Sequence, residues 1–271
     1  MSGDTMWIIK IGGGREINLA GLADDLRELR QPYLIVHGGN ALRDELAARL
    51  GFEKRVLTSP GGVDSVYSDE QAIDLLLLAY AGLRNKRLVE LLQVRGIPAI
   101  GLCGLDGRVV SGLRNTGTRA RENGKTRIVR DYSGKPRSCN RALLQGLLAL
   151  GLVPVLTVPI ADETGRAINA DNDDVVALLK TELGASTVIQ FIEASGLLED
   201  PADPSSRVSR ITRHELPLWE SRSGGRFRRK IIALQKLLAD GTGRVLIADG
   251  RLTHPLQAAL TGQGTLIEVE D

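Results

Sequence analysis

Lys10-Ile-Gly-Gly13 and His37-Gly-Gly39 are the first residues in the chain whose types and spacing could do chemistry. Glycine has no Cβ, so its backbone can come close to a ligand and adopt positive φ. Exposed N–H groups at a strand-to-helix turn attract anionic oxygens. Either turn by itself is equally an ordinary connection between a strand and a helix. Two of them on adjacent strands, with Lys10 one pitch away, would grip a single phosphoryl group from two sides. Two better-known nucleotide motifs fail. Gly124-Lys125-Thr126 looks like the end of a P-loop, but that motif needs a further glycine where Arg119 stands, and it lies in a polar stretch instead of after a buried strand. No G-x-G-x-x-G follows the first strand, which argues against a dinucleotide dehydrogenase.

The elements that must position these residues read as an alternation of strands and helices. Met6–Ile11 is a short buried strand, a helical pattern from Leu19 to Arg30 is stopped by Pro32, and Tyr33–Val36 is a second strand. A loop rich in Gly, Pro and Ser spans Thr58–Ser65, and a long helical pattern runs from Asp69 to Arg95. Ile97–Leu102 is a strand, Arg108–Arg137 a polar hairpin excursion, Asn140–Leu150 a helix and Val153–Val158 a strand. A second series comprises helix Asp173–Glu182, strand Thr187–Ile192, helix Phe227–Ala239, strand Arg244–Ile247 and a final strand at Thr265–Val269. The pattern predicts an α/β fold, a mainly parallel central sheet sandwiched by helices. It divides into an N-terminal lobe, residues 1–172, and a C-terminal lobe, residues 173–271, with the boundary just after Asn169-Ala-Asp171. Ligands in such sheets bind beyond the carboxyl ends of the strands, where the glycine turns and Asn-Ala-Asp lie.

The 271 residues suffice for such a sheet, and 42% hydrophobic residues can fill its core. Aromatics are only 3%, which removes the stacking platforms of single-strand nucleic-acid binders. A net charge of +2 likewise gives no general attraction to nucleic acid. Cys103 and Cys139 cannot form a disulfide framework and read as small buried hydrophobes. No signal-like N-terminal stretch and no apolar run of about 18 residues is present, so the expectation is a cytoplasmic protein away from membranes.

Taken together, Lys10-Ile-Gly-Gly-Gly14, Val36-His-Gly-Gly39, Asn85-Lys-Arg-Leu-Val89, Ile168-Asn-Ala-Asp171 and the Arg-Arg-Lys230 helix start resemble the amino acid kinase family, in the correct order along nearly the whole chain. Within its acetylglutamate kinase branch, Gly101–Gly107, Glu122-Asn-Gly124, Asp131–Gly134, Pro154–Thr157 and Asn40 resemble the kinases that act on glutamate or 2-aminoadipate attached to an amino-group carrier protein. The resemblance implies ATP with its Mg2+ as phosphoryl donor, an acceptor-binding N-terminal lobe and an ATP-binding C-terminal lobe. It implies Lys10 and Lys230 flanking the transferring group, with Asp171 holding both lysines. Gly12, Gly13, Gly38 and Gly39 would supply backbone donors, Asn169 would help bind the acceptor, and Glu193, Ser195, Gly196 and Leu197 would lie on the ATP side. No metal site of the protein's own is expected. On their sequence alone, Lys230 is equally a solvated residue of the basic run Arg226–Lys230, and Asp171 is equally a helix N-cap. The chemistry fits the parts. A carboxylate, with a pKa of about 4, is already ionised and needs no base. Its difficulty is repulsion from a polyphosphate, which cations and amides relieve.

Two positions depart from the pattern. The resemblance implies an arginine two residues before Ser68-Asp69 that grips the acceptor's α-carboxylate, and Val66 stands there; either another cation such as Arg55 takes over or the acceptor differs. Phe191-Ile-Glu193 replaces a small hydroxyl residue followed by Asp or Asn. Residues 108–137 carry nine Lys and Arg against Glu122 and Asp131. That excess is either a solvated hairpin or a docking edge for an acidic partner, and the resemblance favours docking of an acidic carrier by Arg114, Arg119, Arg121, Lys125, Arg127 and Arg130. The expectation is therefore a carboxylate kinase acting on a carrier-bound acceptor, in lysine biosynthesis through aminoadipate or a related specialised pathway, and assembled as a homodimer. The alternatives are a kinase of free N-acetylglutamate, in arginine biosynthesis, and a ligand-sensing domain without catalysis.

Overall fold

The computed structural model describes residues 6–53, 55–58, 64–122, 125–200, 202–203, 205–223 and 225–269. The side chains of residues 58, 64–66, 118–122, 125, 126, 225 and 226 lie outside that description, among them those of Val66, Arg119, Arg121 and Lys125, as does the whole of Gly124.

The chain begins β1 (Trp7–Ile11), α1 (Leu19–Arg27), β2 (Tyr33–His37), α2 (Asn40–Leu50), β3 (Val56–Thr58), β4 (Asp64–Val66) and α3 (Glu70–Leu76), then a π-helical stretch Leu77–Arg84 leads into α4 (Asn85–Val94). It continues with β5 (Ala99–Cys103), β6 (Val110–Arg114), β7 (Thr118–Glu122), β8 (Lys125–Val129), β9 (Gly134–Cys139), α5 (Arg141–Ala149), β10 (Val153–Thr157), β11 (Ile160–Ala161) and β12 (Ala167–Ile168). The last part holds α6 (Asn172–Leu183), β13 (Thr187–Ile192), β14 (Arg210–Thr212), α7 (Leu216–Arg222), α8 (Gly225–Leu237), β15 (Arg244–Asp249), α9 (Pro255–Leu260) and β16 (Thr265–Glu268).

One eight-stranded sheet, in the order β14-β16-β15-β13-β1-β2-β10-β5, runs through both halves of the chain. Its pairs are parallel except β15 with β16. β1 sits at the centre because it is apolar on both faces, as a strand covered by helices on either side must be. Ile8, with Leu34, Leu156 and Val188, packs on one face against Val176 and Leu179 of α6 and Ile231 and Leu234 of α8. Ile9 and Ile11, with Ile35, Val155 and Ile189, pack on the other against Leu22 and Leu26 of α1 and Leu88 and Leu92 of α4. The alternation along a strand thus builds two cores from one sheet.

The predicted α/β class and the mainly parallel sheet are what the structure has. Several elements differ from their sequence-level outline. The single helix expected over Asp69–Arg95 is α3 and α4 with the π-helical stretch between them, which changes the helical phase midway. The loop expected over Thr58–Ser65 is flanked by a short hairpin of β3 and β4. The polar excursion is two ribbons: β6 pairs with β9, and β7 with β8. α2 escaped notice because NALRDELAARL buries only Ala47 and so shows no apolar stripe.

β3 also pairs with β7, at Thr58 and Arg121, so that β4-β3-β7-β8 form one small sheet. The β3–β4 hairpin and the basic ribbon are therefore a single surface. Among the described residues, no helix is long and apolar enough to cross a membrane.

Candidate active site

The carboxyl ends of β1 and β2 carry the two glycine turns, and the structure interlocks them backbone to backbone. A Cβ on Gly38 would lie 2.9 Å from the Gly13 nitrogen, and one on Gly13 would lie 2.7 Å from the nitrogens of Gly39 and Asn40. No side chain fits in that space, which is the reason for glycine at both places. The Gly12 amide donates to the Phe191 carbonyl and the Gly38 amide to the Ile11 carbonyl, each at 2.9 Å. Two of the four expected backbone donors are thus engaged in holding the turns together. Gly39 is the N-cap of α2 and has no side chain to cap it, so the positive end of that helix adjoins the Gly13 turn.

His37 anchors this arrangement from below. It is fully buried, and burial pulls its pKa down to about 4, so the ring is neutral. Its Nδ1 lies 3.0 Å from the Gly38 carbonyl, which fixes the proton there, and Nε2 then accepts from Asn85 Nδ2 at 3.1 Å. The same amide group donates to the Val155 carbonyl at 2.9 Å. The motifs around His37 and Asn85, far apart in sequence, are one hydrogen-bonded unit tying β2, β10 and α4.

Lys10 extends from β1 and ends on the Asp173 carboxylate, with Nζ 2.5 Å from Oδ1. The two side chains are 14% and 25% exposed, so the pair is largely removed from water. Lys230, on α8, belongs to the same group. Burial and then the neighbouring Lys10 ammonium pull its pKa down to about 8, while Asp173 pushes it up. Asp171 takes the helix-cap post that its sequence equally allows. It is the N-cap of α6 and accepts from the Asp173 amide at 2.9 Å. Burial and then Asp173 push its pKa up, against the Asp173 amide and Lys10, which pull it down. Asp173 makes the direct contact to Lys10, and Asp171 feels the charge of the same ammonium. The signal that could have found Asp173 is the acidic first turn of α6, Asn172-Asp-Asp174, where a helix start holds carboxylates near a cation. Asp174 bonds Lys236 at 2.5 Å instead.

Tyr80, from the π-helical stretch, packs its ring against the Gly39 turn. Its ring would lie 3.1 Å from a Cβ on Gly39. Burial pushes its hydroxyl pKa up; Arg43 and the Gly39 amide pull it down, and Asp44 and Asp171 push it up again. Nothing in the sequence announces the π-helical phase that brings Tyr80 here.

Asn169 donates from Nδ2 to Ser68 Oγ at 3.0 Å, and both line a cleft with Arg43 of α2, Arg55, Tyr67 and Asp69. Asp69 caps α3 by accepting from the Ala72 amide. Val66 follows Asp64 and Ser65 on the β4 backbone, in register with Val56. Arg55, just before β3, lays its guanidinium 4.5 Å over the Tyr67 ring.

The expected ATP-side residues lie after β13. Glu193 folds its carboxylate against the Gly14 turn and accepts from the Glu16 amide at 2.6 Å. Gly196 has φ +146°, a conformation that favours glycine, and the Leu197 amide donates to Thr265 Oγ1 at 2.8 Å. That bond ties the Ser195–Leu197 segment to β16. Among the expected docking residues, Arg127 and Arg130 are exposed. Arg114 lies over the Tyr132 ring at 4.0 Å and donates to the Asp131 carbonyl. Among the described residues, no group of three or more His, Cys, Asp and Glu is placed to hold a metal ion.

A sequence profile described as the amino acid kinase family matches residues 5–249. A LysW-aminoadipate kinase of Thermus thermophilus is 40% identical over 268 residues, covering 97% of this chain and 100% of its own. A LysW-aminoadipate kinase of Deinococcus radiodurans is 35% identical over 97% of this chain and 91% of its own. A LysW-aminoadipate/LysW-glutamate kinase of Metallosphaera sedula is 30% identical over 97% of this chain and 100% of its own. Among solved structures, N-acetylglutamate synthase from Neisseria gonorrhoeae superposes with a TM-score of 0.79 at 22% identity, over 99% of this chain and 60% of that one. Carbamate kinase from Giardia lamblia bound to AMP-PNP does so with a TM-score of 0.70 at 12% identity, over 100% of both. At such identities the structural likeness shows a shared fold.

Proposed function

The chain belongs to the amino acid kinase family, and from that premise we propose that it transfers the γ-phosphoryl group of ATP to the side-chain carboxylate of a 2-aminoadipate or glutamate group attached to an amino-group carrier protein. A carboxylate oxygen attacks the γ-phosphorus, the bond to the β-phosphate oxygen breaks, and ADP leaves with that electron pair. The product is an acyl phosphate, an activated acid suited to reduction.

Three or more negative charges converge in this transfer, and neutralising and aligning them is the whole task of the protein. Lys10 and Lys230 are the cations on either side of the moving group. Asp173 fixes Lys10, and Asp171 fixes Asp173 by capping the helix that carries it. Gly13 and the start of α2 offer the backbone donors. Mg2+ enters with ATP as part of the substrate. Residues 1–172 bind acceptor and carrier; residues 173–271 bind ATP, with Glu193, Ser195, Gly196 and Leu197 along it. The enzyme works as a homodimer in the cytoplasm.

The observation that supports the carrier most is the small sheet β4-β3-β7-β8. One of its hairpins borders the cleft that holds Asn169, and the other is the basic ribbon. An acidic carrier resting on the ribbon would hold its terminal residue over the cleft.

The test measures ADP release with carrier-linked aminoadipate, carrier-linked glutamate and free N-acetylglutamate. Turnover with a carrier-linked acceptor and little with the free compound is expected. Preference for free N-acetylglutamate would overturn the carrier, and ADP release with none of the three would overturn the kinase assignment in favour of a sensor.

A further inference from the structure

We propose that Arg43 is the residue that recognises the acceptor's α-carboxylate, and that it thereby does from α2 the work for which β4 offers only Val66; this rests on the carrier-bound acceptor proposed above. An acidic amino acid attached through its amine keeps two carboxylates. One is phosphorylated beside Lys10 and Lys230. The other is an anion that must enter the cleft lined by Asn169, and a buried anion without a cation is costly. Residue 66 is a valine and offers no donor. Among the described residues, Arg43 and Arg55 are the arginines that line the cleft.

Of these, Arg43 is the more deeply buried. Arg43 and Asp171 both act on the Tyr80 hydroxyl, Arg43 pulling its pKa down and Asp171 pushing it up. The Arg43 side chain is only 18% exposed. Asp44 accepts from its Nε and Nη2, at 2.9 and 2.7 Å, which holds the guanidinium plane while the Nη1 side stays available for a ligand oxygen. Arg55, just before the hairpin continuous with the basic ribbon, is exposed and stacks on Tyr67. A planar fork of donors held by its own carboxylate suits recognition of a carboxylate.

The experiment compares carrier-linked glutamate with its α-carboxamide, in the wild-type enzyme and in Arg43→Gln and Arg43→Lys. The wild type is expected to favour the acid over the amide by about tenfold to hundredfold in acceptor KM, the range for a hydrogen bond to a charged group. Arg43→Gln is expected to raise the KM for the acid by that factor, to leave the KM for ATP in place and to lose the preference for acid over amide; Arg43→Lys is expected to keep part of it. An unchanged KM for ATP also shows that the variants are folded. Wild-type turnover of the carrier-linked acid is the control that belongs to the proposed function. With that turnover present, an acid-to-amide preference that survives in Arg43→Gln overturns the Arg43 assignment alone.

Discussion

Asp173→Asn removes one charge from the centre of the site and changes little else. The carboxylate holds Lys10 at 2.5 Å in surroundings where the two side chains are 14% and 25% exposed, so solvent screens the pair weakly. Loss of an electrostatic donor outright costs about 100- to 1,000-fold in rate. Asn keeps an acceptor but not the charge, and a charge-assisted bond is about twice as strong as a neutral one. The expected effect is a kcat lower by about tenfold to hundredfold, or roughly 1.4 to 2.7 kcal/mol. A second consequence separates this account from simple misfolding. Asp173 raises the pKa of Lys230, which stands at about 8. Without it, Lys230 loses its proton at lower pH. Activity needs the charged form, so the alkaline fall in kcat/KM for ATP moves to lower pH. The substitution also takes the counter-ion from a largely buried Lys10, at a cost of roughly 1.5 to 3 kcal/mol of stability, so a thermal melt of the variant accompanies the kinetics. The assay is a kcat/KM profile over roughly pH 6 to 10 at saturating acceptor. Full kcat together with an alkaline limb that does not move would refute the reasoning.

In the wild type, the alkaline limb of kcat/KM for ATP is expected near the Lys230 pKa of about 8, and Lys230→Arg should carry it beyond the accessible range. A limb left in place by Lys230→Arg would assign it to another group. His37 binds its proton at a pKa of about 4 when folded and about 6.5 when unfolded, so its contribution is complete above pH 6.5 and is lost as pH falls through 4. Chemical denaturation at descending pH should show about 3 kcal/mol of acid sensitivity from this ring, and a His37→Gln variant with an equally steep decline would contradict it. Arg127→Glu with Arg130→Glu, both exposed, should raise KM for the carrier-linked acceptor several-fold at low salt, less at high salt. Equal KM values for variant and wild type at low salt would remove the ribbon from carrier docking.

The sequence was most legible where chemistry and backbone geometry coincide. Lys10 near the end of an apolar strand and the glycines beside it were visible as residue types, and the structure adds that those glycines have no room for a Cβ. The parallel sheet was legible because strands alternate with helices and glycine follows the first two strands. What escaped depends on three-dimensional phase. Asp171 and Asp173 are alike in sequence. Only the turn of α6 makes the first a cap and turns the second toward Lys10. Tyr80 sits in an apolar helical run like many others until the π-helical stretch brings its ring under Gly39. Val66 marked a missing cation, but α2 has no apolar stripe to declare it a helix, so Arg43 had no place in the sequence-level picture.

The most direct test of the account is the chemical form of the product. Enzyme, Mg-ATP and the carrier bearing aminoadipate or glutamate are incubated with hydroxylamine, and the intact mass of the carrier is measured. The account predicts a hydroxamate on the carrier, formed by the wild type and lost with Lys10→Ala. ATP consumed without any hydroxamate on the carrier would contradict it.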